Sequence, residues 1–305
     1  MKKKLSLKKG IRHLSWNEIA TLIKTTFKEF FKEKSFMHGA ALSYYTIFAL
    51  VPLLYLAFAT FGKIVGNTAM VEIIGDLLKK QVGIEDVSGI LAFLQGVDME
   101  KGSFFLNVIG IFALILSSTA LLASLRGSIN EFFDIERVFH SQKKLILSHL
   151  ISRLVSVMLL TIIGIVTVTI YFAQNVFMSF GKHFFEGTET VHWFVHNFFD
   201  LFAHGLSILS SVIIFTFIFK FLHDGIVQWK LALAGALVTS FLLYFGQLLI
   251  KYYLGNFFFA KDGGIAGTMF VMLTWMYYSS QIIFFGAKFT AVYGRMVGKT
   301  IHARN

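Results

Sequence analysis

The chain has 305 residues, of which 56% are hydrophobic and 15% are charged, and it contains 36 phenylalanines, one proline and no cysteine. This composition excludes an ordinary soluble domain, and the lack of cysteine excludes disulfides, thiolate metal sites and a cysteine nucleophile. The net charge of +11 would suit nucleic-acid binding in a soluble protein, but in a membrane protein it more often reflects cytoplasmic lysine and arginine. We therefore expect an all-α integral membrane bundle that forms a single domain over residues 1–305.

Residues 1–37 predict a basic amphipathic helix on the cytoplasmic side. Ser15 and Glu18 have the spacing of a capping box, which marks the start of a helix. Apolar and basic residues then repeat with helical period on different faces, the apolar ones being Ile19, Leu22, Ile23, Phe27, Phe30 and Phe31 and the basic ones Lys24, Lys28 and Lys32. Such a helix is expected to lie flat at the surface of an anionic leaflet, and an RNA-binding arm is the less favoured alternative.

Six charge-poor stretches follow, and each is long enough to cross a bilayer core. They predict transmembrane helices at about residues 38–62, 102–125, 154–176, 201–220, 231–250 and 265–288. The outer loop between the first two has apolar residues at helical spacing, which predicts short amphipathic helices there. Lysine and arginine number 21 on the side of the termini and 7 on the opposite side, so both termini are expected in the cytoplasm.

The first and sixth predicted spans carry polar residues that should avoid lipid. Pro52 is the only proline of the chain and predicts a bend in the first span, just after Tyr44 and Tyr45. The sixth span has a polar stripe at helical spacing, formed by Thr274, Tyr277, Tyr278, Gln281 and Lys288. Interhelical hydrogen bonding explains such a stripe, and so does the wall of a water-filled or lipid-filled cleft.

The second interpretation, in which the polar residues line a cavity, predicts one cleft that opens toward the cytoplasm. Its candidate lining residues are Tyr44, Tyr45, Pro52, Asn107, Tyr277, Tyr278 and Gln281. Arg126 and Lys288 lie at the predicted cytoplasmic ends of the second and sixth spans, where each could meet an anionic headgroup. In the fifth span, a face of small residues predicts close helix packing, its members being Ala232, Gly235, Ala236, Thr239 and Gly246.

No constellation of catalytic residues is recognisable. No aspartate or glutamate lies inside a predicted span, and no phosphate-binding loop is present, so we predict no catalytic residue and no cofactor. Glu189, His192 and His196 would share a face of a helix and could bind a divalent metal. The pattern is short and lies among aromatic residues, so interfacial histidines are the favoured interpretation and no metal site is predicted.

Several stretches resemble one known family. AALSYYTIFALVPLL resembles the first-span signature of the YihY/BrkB family, formerly labelled ribonuclease BN. VQWKLALAGALVTSFLLYFGQLLIKYYLGN and GGIAGTMFVMLTWMYYSSQIIFFGAKFTAVY are similar to its fifth and sixth spans, so the resemblance covers about residues 36–293. One departure is Lys288, which follows Gly286 and Ala287 where the family commonly has glutamate, so no role of that carboxylate carries over.

The resemblance implies a six-span protein of the bacterial inner membrane, linked to envelope integrity and to movement of lipid or of a lipopolysaccharide precursor. It also implies that the nuclease label is a misassignment, and the scattered carboxylates of the cytoplasmic segments agree with this. Our first hypothesis is a lipid-handling transporter whose partner is an anionic phospholipid or a lipopolysaccharide precursor. A non-transporting scaffold for envelope biogenesis is the alternative, and an RNA-processing enzyme is the third. No nucleic-acid partner is expected, and homo-oligomerisation is left open.

Overall fold

The computed structural model describes residues 15–66, 71, 75, 104–135, 189–256 and 264–303. These ranges contain six helices and one pair of short strands. The helices are α1 (Trp16–Lys32), α2 (Ser35–Val65), α3 (Phe104–Phe132), α4 (Glu189–Phe221), α5 (Trp229–Asn256) and α6 (Gly264–Met296). The strands are β1 (Gly225–Ile226) and β2 (His302–Ala303). The expected all-α class is confirmed.

Three of the described helices contain a stretch that is long and apolar enough to cross a membrane. These stretches are Val108–Phe132 in α3, His204–Phe221 in α4 and Trp229–Ile250 in α5. They correspond to the second, fourth and fifth predicted spans. The third predicted span and nearly all of the outer loop lie outside the described residues, so the total of six spans and the outer-loop helices stay predictions.

Helix α1 begins where the capping box predicts. The backbone N–H of Ser15 donates to Oε2 of Glu18 at 2.8 Å, and the N–H of Glu18 donates to Oγ of Ser15 at 3.3 Å. This reciprocal pair satisfies two backbone donors that the first turn of a helix otherwise leaves without a partner. The short link to α2 passes through Lys34, whose φ of 49° is in the left-handed region.

The helices extend beyond the charge-poor stretches that predicted them. Helix α3 continues past Arg126, α6 continues past Lys288, and α4 already begins at Glu189. A charge-free stretch marks only the part of a helix that lies in hydrocarbon, whereas a helix continues wherever its charged side chains find partners or water. The predicted centres were therefore more accurate than the predicted ends.

The chain forms two compact units, and each is assembled from separate stretches of sequence. The first unit comprises Met1–Thr26, Ile129–Phe241 and Gly286–Asn305, and the second comprises Phe27–Ser128 and Leu242–Phe285. Neither unit is one continuous stretch, so the division does not follow a linker in the sequence. The expectation of one domain over the whole chain stays a prediction.

In the first unit, α5 and α6 cross at two glycines. A Cβ on Gly235 would collide with Oγ1 of Thr290, and a Cβ on Gly286 would collide with Oγ1 of Thr239. Each threonine hydroxyl donates to the carbonyl of the glycine four residues earlier in its own helix, at 2.8 Å in both helices. The predicted small-residue face of α5 is thereby confirmed as a packing surface at Gly235 and Thr239.

The C-terminal segment folds back onto the turn between α4 and α5. Helix α6 ends with Gly298 at a φ of 72°, and the N–H of Lys299 donates to the carbonyl of Gly294 at 2.7 Å. This left-handed glycine reverses the chain in the manner of a Schellman motif. Strand β2 then pairs antiparallel with β1, so that Gly225 lies opposite Ala303.

Candidate functional site

In the second unit, α2 and α6 pack directly on each other at a polar position. Nε2 of Gln281 donates to the backbone carbonyl of Ser35 at 3.1 Å. A Cβ on Gly39 would overlap the Gln281 amide and would lie 3.3 Å from the ring of Tyr277. Glycine at position 39 therefore permits the close approach that brings these two polar side chains to the first turns of α2.

Helix α3 joins the same contact. Nδ1 of His38 lies 2.9 Å from Oγ of Ser128, and the His38 ring packs edge-on against Phe284 of α6, with 6.1 Å between ring centroids. We call Ser35, His38, Gly39, Ser128 and Gln281 the polar contact. It connects α2 with α3 and with α6, which are the helices of the first, second and sixth predicted spans.

Two polar atoms of the polar contact are buried without a hydrogen-bond partner among the described residues. They are Oγ of Ser35 and Oε1 of Gln281. A buried polar group without a partner costs free energy comparable to a lost hydrogen bond, and more in hydrocarbon than near water. The polar contact can therefore accept a further hydrogen bond from a polar group that enters it.

The structure brings together only some of the predicted cleft residues. Tyr277 and Gln281 meet α2, whereas the ring of Tyr278 lies against Gly246 of α5. Tyr44 is 55% exposed and contacts the rings of Tyr45 and Phe48, with centroid distances of 5.7 and 4.5 Å. Tyr44 is thus an exposed aromatic residue on α2 in the structure, and its lining role stays a prediction.

Four further residues of the predicted stripe and cleft are Thr274, Pro52, Asn107 and Arg126. Thr274 is exposed, and its hydroxyl donates to the carbonyl of Phe270 in its own helix at 2.9 Å. Helix α2 continues through Pro52, but the side chains of Pro52 and Asn107 lie outside the described residues. Arg126 is partly buried on α3. The bend at Pro52 and the headgroup role of Arg126 remain predictions.

Lys288, a predicted headgroup-binding residue, is buried and paired with a carboxylate in the structure. In the first unit its side chain is 0% exposed, and its Nζ lies 2.9 Å from Oδ1 of Asp134. Arg295 reaches the other oxygen of the same carboxylate, with Nη1 2.8 Å from Oδ2. Burial of an ammonium requires a counter-charge, and Asp134 supplies one, while the headgroup role of Lys288 stays a prediction.

Asp134 follows the end of α3 and has a left-handed backbone conformation. Its φ is 56°, its N–H donates to the carbonyl of Glu131 at 3.0 Å, and the N–H of Ile135 donates to the carbonyl of Asn130 at 2.9 Å. These two bonds form a Schellman motif with Asp134 at the position that usually favours glycine. The sequence spacing between Asp134 and Lys288 gives no signal for this ion pair.

The turn between α4 and α5 is tied to the same end of α3. Nδ2 of Asn130 donates to Oδ2 of Asp224 at 2.6 Å, and the N–H of Asp224 donates to Oδ1 of Asn130 at 2.9 Å. Buried His223 lies between Phe219 and Gly225, with one ring nitrogen 2.8 Å from the Phe219 carbonyl and the other accepting from the N–H of Gly225. Three segments that the charge count placed in the cytoplasm therefore meet at one end of the first unit.

The described residues contain no group of three or more histidines and carboxylates that could hold a metal ion. Helix α4 starts at Glu189, so the backbone around His192 and His196 is helical as considered above. The side chains of these three residues lie outside the described set, and the metal alternative gains no support.

The chain is similar to one family of membrane proteins over most of its length. The chain matches the family described as Virulence factor BrkB over residues 26–305. A UPF0761 membrane protein of Alkalilimnicola ehrlichii is 22% identical over 92% of this chain and 60% of its own length, and one of Stenotrophomonas maltophilia is 23% identical over 86% and 58%. A third, from Mannheimia succiniciproducens, is 25% identical over 94% of each chain.

The chain thus spans about three fifths of the first two relatives, at 60% and 58% of their lengths, and nearly all of the third. No solved structure matches it. All three relatives are described as membrane proteins, which agrees with the apolar helices α3, α4 and α5. Because the family match extends over most of the sequence, this chain belongs to the YihY/BrkB family of membrane proteins.

Proposed function

We propose that this membrane protein handles or translocates a lipid or a lipid-linked envelope precursor. The observation that carries the proposal is the polar contact, where Gln281 and Ser35 present buried oxygen atoms without partners among the described residues. Polar groups on membrane helices are costly unless they serve packing, water or a ligand. A headgroup hydroxyl or amine that entered between α2 and α6 would supply the missing donor.

The proposed setting is the bacterial inner membrane, with six spans and both termini in the cytoplasm. The excess of lysine and arginine, 21 against 7, supports this orientation. The end of α3, the α4–α5 turn and the segment after Lys288 were all assigned to the cytoplasmic side from this count. Their meeting at one end of the first unit agrees with that assignment.

The proposed role is not enzymatic. Asp134 is one of the few carboxylates in the cytoplasmic segments that a metal-dependent nuclease could use, and its two oxygens bind Lys288 and Arg295 instead. Purified protein should therefore leave RNA intact in the presence of magnesium or manganese. Metal-dependent cleavage that co-purifies with the protein and is abolished by Asp134→Ala would contradict this part of the proposal.

Lipid movement can be measured in vesicles with a fluorescent phospholipid whose outer-leaflet label is bleached by dithionite. We expect proteoliposomes to lose more than the outer-leaflet half of the signal, and Gln281→Leu to slow this loss. Thr274→Val is the matched control, because it removes an exposed hydroxyl from the same helix that bonds only within α6 among the described contacts. Lipid movement no faster than in protein-free vesicles would contradict translocation.

A scaffold without transport is the second candidate, and one observation favours it. The approach of Gly39 to Gln281 is too tight for even a Cβ, as in a permanently packed helix pair. If the protein is a scaffold, cells carrying Gln281→Leu should resist detergent as well as unmodified cells do, and the protein should move no lipid in vesicles. The vesicle assay combined with a detergent-sensitivity assay in cells therefore separates the two candidates.

A further inference from the structure

The apolar face of α1 is divided between the protein and its surroundings. Leu22, Thr26 and Phe30 recur every fourth residue and are at most 6% exposed. Phe27 and Phe31 lie on the adjacent part of the helix surface and are 48% and 56% exposed. Only part of the apolar surface therefore packs on protein, and a second apolar stripe is left uncovered.

Lysines follow this uncovered stripe along the helix. Lys28 and Lys32 each come one residue after an exposed phenylalanine, and both are exposed. Successive residues of a helix are rotated by about 100°, so the lysine row borders the apolar stripe on the side away from the buried face. An apolar stripe bordered by lysines is the arrangement by which helices lie at an anionic membrane surface.

The chain continues the same surface beyond the end of α1. Lys34 is exposed, and Phe36 and Met37 at the start of α2 are 56% and 67% exposed. The rings of Phe31 and Phe36 lie 5.8 Å apart, which joins the two helices into one aromatic surface. We call Phe27, Lys28, Phe31, Lys32, Lys34, Phe36 and Met37 the α1–α2 corner, and all of them belong to the second unit.

The corner is fixed in place by α6. The ring of Phe285 lies 4.8 Å from that of Phe27 and 5.6 Å from that of buried Phe30. Gln281 holds the backbone immediately after Lys34 through its bond to the Ser35 carbonyl. These contacts hold Phe27 and the helical backbone that carries the exposed lysines, so little backbone freedom is lost when a partner binds.

We propose that the α1–α2 corner binds the anionic phospholipids of the leaflet that α2 enters. The lysines meet headgroup phosphates, and Phe31, Phe36 and Met37 lie against the upper parts of the acyl chains. Charge complementarity selects this occupant, and α2 continues directly from the corner into the first predicted span, which places the corner at the membrane boundary. The site rests on membrane insertion alone, so it can exist whether or not the protein moves lipid.

Lipid selectivity of the full-length protein tests the proposal. Native mass spectrometry in detergent, with phosphatidylglycerol and phosphatidylcholine as probes, should show preferential binding of phosphatidylglycerol. Each lysine near an anionic surface contributes a factor of about five, so Lys28→Gln/Lys32→Gln should reduce that preference about 25-fold. Lys230→Gln/Lys299→Gln removes two exposed lysines elsewhere and should retain the preference. Equal preference in the two double variants would overturn the proposal.

A second measurement addresses the depth of the corner and does not depend on affinity. The sequence has no cysteine, so a spin label on Phe31→Cys is attached at a unique site. In nanodiscs that contain phosphatidylglycerol, we expect this label to be accessible to oxygen and protected from a water-soluble nickel reagent. A label that the nickel reagent reaches freely, or a Phe31→Cys variant that crosslinks two copies, would show that the corner meets water or another protein instead.

Discussion

Asp134 combines a backbone conformation that aspartate tolerates only at a cost with a carboxylate that two cations share. A left-handed conformation costs a residue with a Cβ roughly 1 kcal/mol or more relative to the right-handed one, and glycine would avoid this cost. Glycine would also remove the carboxylate that lies 2.9 Å from the buried ammonium of Lys288. The ion pair explains why a strained aspartate stands at the end of α3.

The strength of this ion pair can be measured with a double-mutant cycle. Asp134→Asn keeps a residue type that tolerates the left-handed region but removes the charge, so the buried ammonium of Lys288 loses the carboxylate beside it. We expect a loss of about 2 kcal/mol in stability, below the range for fully buried pairs because Asp134 is 45% exposed. The measurement is thermal unfolding of the purified protein in detergent.

The double variant Asp134→Asn/Lys288→Met provides the control. It removes both charges, so it should be more stable than Asp134→Asn alone, since the buried ammonium that lost its carboxylate is removed as well. Strictly additive effects of the two substitutions would mean that Lys288 and Asp134 are not coupled in the protein.

The sequence was informative about single residues only where the signal is local. Ser15 and Glu18 of the capping box are three residues apart, and the structure confirms both of the hydrogen bonds that this spacing predicts. The pairing of Asp134 with Lys288 and that of His38 with Ser128 join residues far apart in the chain, and neither has a local pattern. The sequence therefore gives Lys288 as a headgroup-binding candidate and does not show its partner Asp134, which lies after another helix.

Helices α5 and α6 cross through small residues, which allow the close packing that holds helices together in a membrane where no hydrophobic effect drives their association. Gly235 and Thr239 on α5 face Thr290 and Gly286 on α6. Each helix thus contributes a glycine and a threonine four residues apart, so the two backbones approach closely. Only the α5 half of this arrangement was predicted, because Gly286 and Thr290 lie where the sequence drew attention to Lys288.

Gly286→Ala tests this crossing. The new methyl group would collide with the hydroxyl of Thr239, and Thr239 is β-branched and buried, so it cannot turn away. We expect a loss of about 1–3 kcal/mol, measured by thermal unfolding in detergent. Gly205→Ala, where a Cβ meets nothing within 4 Å, should be neutral or slightly stabilising.

The crossing also predicts a rescue. Thr239→Ala should recover part of the stability lost in Gly286→Ala, because it removes the colliding hydroxyl. Equal stability of Gly286→Ala and Gly205→Ala would mean that the two helices do not approach as closely as described here.

Over the whole molecule, the distribution of charge along the sequence predicts the positions of the helices and the grouping of distant segments better than any single motif does. Charge-poor length located the helices of the described spans, and the lysine and arginine count grouped three distant segments that the first unit brings together. Function was less accessible, because lining a cleft depends on which face of a helix meets its neighbours. Tyr277 and Gln281 meet α2, whereas Tyr278 on the same helix meets α5.

Orientation in the membrane is tested by single-cysteine labelling, which the absence of native cysteine makes direct. A membrane-impermeant thiol reagent added to intact cells should label cysteines at Ser88 and Thr188 but not at Gly10 or Lys299, because the positive segments stay in the cytoplasm. Permeabilised cells are the control, in which all four positions should react. Labelling of positions 10 and 299 from outside would reverse the proposed orientation.

Photocrosslinking can show whether lipid headgroups reach the polar contact between α2 and α6, as the proposed function requires. A benzophenone amino acid that replaces Tyr277 reports on this contact. The same benzophenone amino acid in place of Phe270, which is 62% exposed on α6, reports on bulk lipid. We expect position 277 to capture a narrower set of lipids than position 270, enriched in one headgroup class. Capture of α2 alone at position 277, or an identical lipid spectrum at both positions, would contradict it.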